Sequence, residues 1–383
     1  MKKLCIAVLV GLLTINVNAQ ETPSLQGVIT TGVPFILIAG DARAAGMADI
    51  GVATSADAFS QQWNPAKYAF AVSKQGVGVT YTPYLSQLVN DIFLGNLTYY
   101  NRINENSAVA GGFRFFSLGE VELRQTADQQ PQIVKPNELL FDLTYSLRLS
   151  ERIAMAVTGR FINSNLKFPT ENEDATSASS FAVDVSGYYQ SEEIAYNDFD
   201  GRWRGGFNIS NIGPKLKYDE TGSENNLPTN LGIGAGFDFI LDEYNKVGVT
   251  VEFNKLLVPT PSDSNGDGVI NRDDDYFDES FVSGIFSSFG DAPGGFSEEL
   301  KEFTWALGAE YWYQDSFAFR TGYFNESEDK GSRKFLSIGA GFKYTAINID
   351  VSYLFSTSKV RSPLEGSLRF GLTFNFGDEY DEY

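Results

Sequence analysis

Ser367-Leu368-Arg369-Phe370-Gly371-Leu372-Thr373-Phe374-Asn375-Phe376-Gly377 is the stretch whose reading decides the fold. Leu368, Phe370, Leu372, Phe374 and Phe376 fall on one face, and Ser367, Arg369, Gly371, Thr373 and Asn375 on the other. That period of two, with bulky apolar groups on one side, marks a half-buried strand. In a soluble sandwich the apolar face would point inward. Here the strand is one of many of its kind in a chain that opens with a secretory leader. The combination predicts a barrel turned inside out, with the apolar face against lipid and the polar face lining the lumen.

The leader reads as residues 1–19: the pair Lys2-Lys3, an apolar run from Leu4 to Leu13, then Val17-Asn18-Ala19 at the cleavage site. That run is too short to span a bilayer, and no later segment approaches the ~20 continuous apolar residues a membrane helix needs. The only cysteine, Cys5, lies in the leader, so the mature chain is expected to lack thiols and disulfides. The formal charge of −20 becomes −22 when Lys2 and Lys3 leave, which makes nucleic acid an improbable partner on electrostatic grounds.

Residues 20–74 do not read as a strand ladder. Asp41-Ala42-Arg43-Ala44-Ala45-Gly46-Met47-Ala48-Asp49 is rich in small residues and suits a short helix or compact coil packed inside a pore. Gln61-Gln62-Trp63-Asn64-Pro65-Ala66 offers an Asn-Pro turn. From Gln75 the alternation repeats. Fourteen strands are expected near 75–83, 92–101, 106–117, 138–149, 152–165, 179–190, 201–212, 228–240, 246–256, 301–313, 316–325, 334–345, 347–355 and 366–377. The reading is thus an all-β, antiparallel, fourteen-stranded transmembrane barrel of the outer membrane over 75–377, with an N-terminal plug or hatch and an acidic tail at 378–383. Every second connection is short, with Ser191–Asp200 the longest of that set, and the intervening ones are mostly long, as in outer-membrane barrels, which puts the long loops outside and both termini in the periplasm.

With the apolar faces outward, Arg114, Arg148, Arg160, Arg202, Arg204, Arg320, Lys343 and Arg369 point inward, as do Asp142, Asp184, Asp238, Glu252, Glu310 and Asp350. A charge-selective pore would favour one sign. A nearly balanced set predicts ion pairs that fill a narrow lumen, and hence a closed or plugged barrel.

The longest loop, 257–300, carries the sharpest local motif. Asp263, Asn265 and Asp267 stand at positions 1, 3 and 5 of a twelve-position calcium loop. Gly268 is at position 6, Val269 offers a carbonyl at 7, Asn271 stands at 9 and Asp274 at 12. A structural Ca²⁺ there would neutralise the acidic run Asp273-Asp274-Asp275. The loop continues with Phe281, Val282, Ile285, Phe286 and Phe289, five large apolar side chains that must fold back over the barrel mouth or dock into another protein. Catalysis finds little support. The chain has no histidine, which removes Ser-His and Cys-His arrangements and histidine zinc sites.

Three strings, Asp41–Asp49, Gly51-Val52-Ala53-Thr54-Ser55-Ala56 and Gln62-Trp63-Asn64-Pro65-Ala66-Lys67, resemble the N-terminal segment of the PorV (LptO) family of the type IX secretion system of Bacteroidota. Asn64-Pro65-Ala66 is also similar to the hatch motif of FadL-like barrels. The resemblance implies a non-enzymatic protein that binds the translocon barrel SprA (Sov). It would collect cargo bearing a C-terminal domain and deliver it to an attachment complex containing PorU. The FadL side implies an alternative, transport of hydrophobic small molecules across the outer membrane. Arg369, Gly371, Phe374 and Phe376 resemble the β-signal that the barrel-assembly machinery reads.

Overall fold

The computed structural model describes residues 27–124, 128–166, 177–218, 224–271 and 273–380. The expected leader at 1–19 lies outside the described residues. Fourteen long strands follow one another: β1 Ser73–Pro83, β2 Ile92–Arg102, β3 Ser107–Leu118, β4 Asn137–Arg148, β5 Ile153–Asn165, β6 Ala178–Gln190 and β7 Asp200–Ile212. The second half comprises β8 Asn230–Ile240, β9 Asn245–Leu256, β10 Thr304–Tyr313, β11 Phe317–Asn325, β12 Lys334–Tyr344, β13 Ile347–Ser356 and β14 Arg369–Glu379. Each pairs antiparallel with its neighbours in chain order, and β1 pairs with β14 in the register Val77↔Phe374, which closes the barrel. Among the described residues no helix is long and apolar enough to cross a membrane.

The side-chain alternation of each strand sets what faces lipid. Along β5, Ile153, Met155 and Val157 are exposed while Ala154, Ala156, Thr158 and Arg160 are buried. The same inversion leaves Leu143 71% and Phe181 68% exposed within their strands, a state that water would penalise and lipid does not. Tyr244, Tyr313 and Tyr344 are exposed at the short-turn ends, where an interfacial aromatic girdle belongs. In β14 the expected alternation holds: Leu368, Phe370, Phe374 and Phe376 face out, and Ser367, Arg369 and Thr373 are buried inside.

Strand boundaries differ from expectation at the two ends of the barrel. β14 runs on through Asp378 and Glu379, two residues into the segment expected as an acidic tail. Two contacts extend it: Glu379 sits opposite Ser73, and Lys74 pairs with Asp378 at 3.2 Å. A bulge at Gly377, where φ is 91°, keeps this extra pairing in register with β1. The strand after the longest loop starts at Thr304 rather than 301, because Leu300–Glu302 form a 3₁₀ turn.

The N-terminal segment lies inside the barrel. Its elements are short: a 3₁₀ turn Pro34–Leu37, a helix Ala42–Gly46, a helical turn Ser60–Trp63 and a 3₁₀ turn Pro65–Phe70. Asp41 caps the first helix by accepting from the Ala44 N–H at 2.7 Å. Small residues let this helix approach the wall. A Cβ on Gly339 of β12 would come within 3.0 Å of the Gly46 Cα, so the backbones touch where any side chain would hold them apart. Val33, Phe35 and Ile36 pack on Leu94, Phe116, Leu140 and Ile162, and Ala66, Ala69 and Phe70 pack on Ala154, Ala156 and Tyr188.

Candidate functional site

Two places carry the chemistry: the filled lumen and the long loop. In the lumen many of the inward charges pair, and the hatch supplies partners that a count over the strands alone misses. Arg43 of the hatch donates to Glu310 of β10 through Nε (3.0 Å) and Nη2 (2.8 Å), and to Asp57 at 2.7 Å. Arg320 of β11 holds the same Glu310 and also Asp350 at 2.6 Å. Arg369 reaches Asp49 at 3.1 Å, Arg160 pairs with Asp184, and Arg204 with Asp238. Glu252 accepts the backbone N–H groups of Gly51 (2.9 Å) and Val52 (2.8 Å). Of the other expected inward charges, Arg114 donates to Ile36 O at 3.0 Å, Asp142 accepts from the Gln61 amide at 2.7 Å, Arg148 donates to Glu151 O at 2.6 Å and lies over the Phe70 ring at 4.7 Å, and Lys343 is exposed at the short-turn end.

The expected hatch motif sits at the junction of plug and wall. Asn64 is fully buried; its amide donates to Val52 O at 2.9 Å and Gly187 O at 3.0 Å, and its oxygen accepts from the Ala66 N–H at 3.2 Å. Pro65 opens the 3₁₀ turn where no N–H is needed, and Ala66 packs on β5 and β6. Lys67, adjacent to the motif, is buried and donates to Gly51 O (2.7 Å) and Thr54 Oγ1 (3.1 Å). The hatch stands between two cavities. One, of about 630 Å³, opens toward the short turns and is lined by Arg43, Asp57, Arg202, Glu310 and Asp350. The other, of about 540 Å³, opens toward the long loops and includes Leu37, Trp63, Asn208, Phe324 and Val360.

The long connection between β9 and β10 forms short helices rather than an extended arch. Phe281–Ser287 is helical, and Ser280 caps it by accepting from the Ser283 N–H at 3.2 Å. Gly284 is the buried side of this helix; a Cβ there would meet Pro259 Cγ at 2.8 Å. The opposite side is bare. Val282 and Phe289 are half-exposed and Phe286 is 75% exposed, while Phe281 and Ile285 are partly covered. The sequence reading left open whether these five residues fold over the mouth or face outward; three of them face outward. Phe296 and Leu300, not singled out from the sequence, extend the exposed apolar surface of this loop. Their signal was available: both are large apolar residues on the same long polar loop.

The twelve-residue motif folds into a chain of Asx turns. Asp263 accepts from the N–H groups of Gly266 (2.7 Å) and Gly268 (2.8 Å), Asn265 from Asp267 (2.9 Å), and Asp267 from Val269 (2.7 Å). Asn271 accepts from the Asp273 N–H at 2.7 Å. Asp274 accepts from Asn271 and Ser264, both at 2.8 Å, and the Asn271 N–H, followed by those of Ser264 and Asn265, holds its carboxyl below the usual aspartate range. Positive φ at Gly266 (76°) and Gly268 (84°) gives the tight winding that such a loop requires. The donor set and winding fit a calcium loop. Its carboxylates do not converge as a trio, whereas Asp291, Glu299 and Glu302 bring ligand atoms within 4.8 Å of one another, the one such group among the described residues.

Comparison with known proteins sharpens the reading. The model of a family described as "Type IX secretion system protein PorV" matches residues 20–263. No curated protein matches the chain. Among solved structures, the CymD monoaromatic hydrocarbon channel superposes with a TM-score of 0.50 at 12% identity, covering 91% of this chain and 99% of that one. A Pseudomonas aeruginosa FadL homologue gives 0.46 at 11% identity over 92% and 100%, and the Pseudomonas putida toluene transporter TodX 0.46 at 10% over 87% and 97%. At such identities the likeness is one of fold alone, a closed barrel shared with the CymD channel.

Proposed function

The chain belongs to the PorV family of the type IX secretion system, and from that premise we propose that it works as a non-enzymatic carrier in the outer membrane. In this reading it binds the translocon barrel SprA (Sov), collects cargo through its C-terminal domain and passes it to the PorU-containing attachment complex. Long loops face the cell exterior and both termini the periplasm. The observation that carries the proposal is the bare apolar side of helix Phe281–Ser287 on the longest loop. Val282, Phe286 and Phe289 lie outside the strand ladder, so lipid does not account for their exposure, and such patches mark sites that another protein covers.

The lumen supports a carrier rather than a channel. The hatch is held by buried ion pairs and by Asn64, and to open it would break several of these at once. In the alternative, a transporter of hydrophobic small molecules, the cavity beside Leu37, Trp63 and Phe324 would be the entry site. The motif at 263–274 would hold a structural Ca²⁺ through Asp263, Asn265, Asp267, Val269, Asn271 and Asp274, and so stiffen the arm that presents the helix.

Deletion of 281–289 tests the carrier reading. The expected result is a folded barrel that no longer co-purifies with the translocon in mild detergent and no longer supports cargo export. Unchanged association and export would overturn the assignment of this loop. Uptake of labelled long-chain fatty acid that depends on the barrel would favour the alternative.

A further inference from the structure

The base of the long loop holds a cluster of charges that neither barrel closure nor the apolar helix uses. Lys255, on β9, and Lys330, in the connection 326–333, face four carboxylates: Asp291, Glu298, Glu299 and Glu302. Lys255 Nζ lies 2.6 Å from Glu299 Oε1 and 2.6 Å from Glu302 Oε2. Lys330 Nζ lies 2.7 Å from Glu298 Oε1 and 3.0 Å from Glu302 Oε1. Thr260 donates its hydroxyl to Glu302 Oε1 at 2.7 Å and its N–H to Asp291 Oδ2 at 2.9 Å, and the Gly294 N–H donates to Glu298 Oε2 at 2.7 Å.

Two oxygens remain once these partners are assigned. Asp291 Oδ1 and Glu299 Oε2 are buried and accept no hydrogen bond, and Glu299 as a residue is only 4% exposed. Both belong to the carboxylate trio whose ligand atoms lie within 4.8 Å of one another. Two ammonium groups against four carboxylates leave an excess of two negative charges. A buried anionic oxygen without a donor is costly, and repulsion between neighbouring carboxylates adds to the cost. A divalent cation removes both deficits together. The donors are all hard oxygens, on a loop of uneven geometry, which suits Ca²⁺ with its flexible coordination better than Mg²⁺ with its strict octahedron.

We propose that Asp291, Glu299 and Glu302 bind a calcium-class divalent cation that closes the loop at its base. Thr260 lies where the loop leaves β9, and residues 291–302 where it returns to β10. An ion held by the returning carboxylates, two of which already bind Thr260, fastens the two arms together. The apolar helix 281–287 then projects from a closed base instead of a free span of more than forty residues. This site is separate from 263–274, and its occupancy does not depend on what the helix docks to.

The experiment is calcium calorimetry on the detergent-solubilised full chain, in a background where Asp263→Asn and Asp267→Asn silence the twelve-residue motif. The expected result is one equivalent of Ca²⁺ bound in that background, lost when Asp291→Asn and Glu299→Gln are added. Chymotrypsin cleavage at the exposed Phe286 should slow in Ca²⁺ relative to chelator in the silenced background and become calcium-independent in the combined variant. Heat-modifiable gel mobility verifies that each barrel is closed. No binding in the silenced background, where the trio is intact, overturns the proposal, as does binding that survives the loss of Asp291 and Glu299.

Discussion

The hatch, from Pro34 to Phe70, and the long loop between β9 and β10 are both irregular segments built from short helical turns. They differ in where their side chains end. Hatch side chains reach across to the wall: Arg43 to Glu310, Asp49 to Arg369, Gln61 to Asp142 and Thr144, and Asn64 to Gly187. The long loop is tied at its base through Lys255 and Lys330 and near its middle by Lys215, which donates to Phe277 O at 2.6 Å. Its tip presents Val282, Phe286 and Phe289 to the surroundings. Irregular backbone inside a membrane-spanning fold survives only when its polar groups are satisfied by protein, so the hatch must be locked. A loop beyond the bilayer is under no such demand and is free to carry recognition.

If that contrast holds, substitutions in the hatch change stability and those at the loop tip change association. The largest stability effect is expected for Glu310→Gln, which leaves Arg43 and Arg320 around a neutral amide inside the barrel. Breaking a buried pair from one side costs about 3–5 kcal/mol. The check is the temperature at which the folded band converts on a heat-modifiability gel, which should fall clearly, while translocon association per folded molecule stays unchanged. An unaltered transition would break the comparison at its first point. Asn64→Ala comes next. It removes the donor to Val52 O and Gly187 O and the acceptor for the Ala66 N–H, and each buried group left without a partner costs roughly 1–3 kcal/mol. A lower denaturation midpoint in urea would show it.

The barrel itself was legible in the sequence because a two-residue period survives any tertiary context that keeps one face in lipid. All fourteen strands stand where alternation puts them, with the largest errors of three residues at Thr304, where a 3₁₀ turn replaces the start of a strand, and at Arg369, where the last strand begins. The inward charges were legible for the same reason. Their partners were less so. Arg43 and Glu310 are 267 positions apart, and nothing in local spacing connects them. Asp49 and Arg369 likewise meet only because β14 passes the hatch. The loop shows the same limit. Its Asx-rich motif is a local pattern and was readable, whereas the group of Asp291, Glu299 and Glu302 depends on how the returning arm folds against Thr260 and Lys255.

The smallest expected stability effect, and the one that separates the two regions best, is at Phe286. Its ring is 75% exposed, its neighbours in the helix already satisfy the cap at Ser280, and the buried contact of the helix is made by Gly284 on the other side. Phe286→Ser therefore removes little from the folded barrel, within about 0.5 kcal/mol, as for surface positions generally. For a docking surface the same change is severe, because a buried aromatic anchor contributes upward of 2 kcal/mol to an interface, equivalent to a loss of roughly thirtyfold in affinity. Purified translocon barrel titrated with the variant and with the parent protein measures this ratio, and the gel transition measured in parallel shows the fold untouched. A variant that lost stability in step with affinity would mean that the helix is part of the barrel's own packing, and the division between locked hatch and free tip would fall.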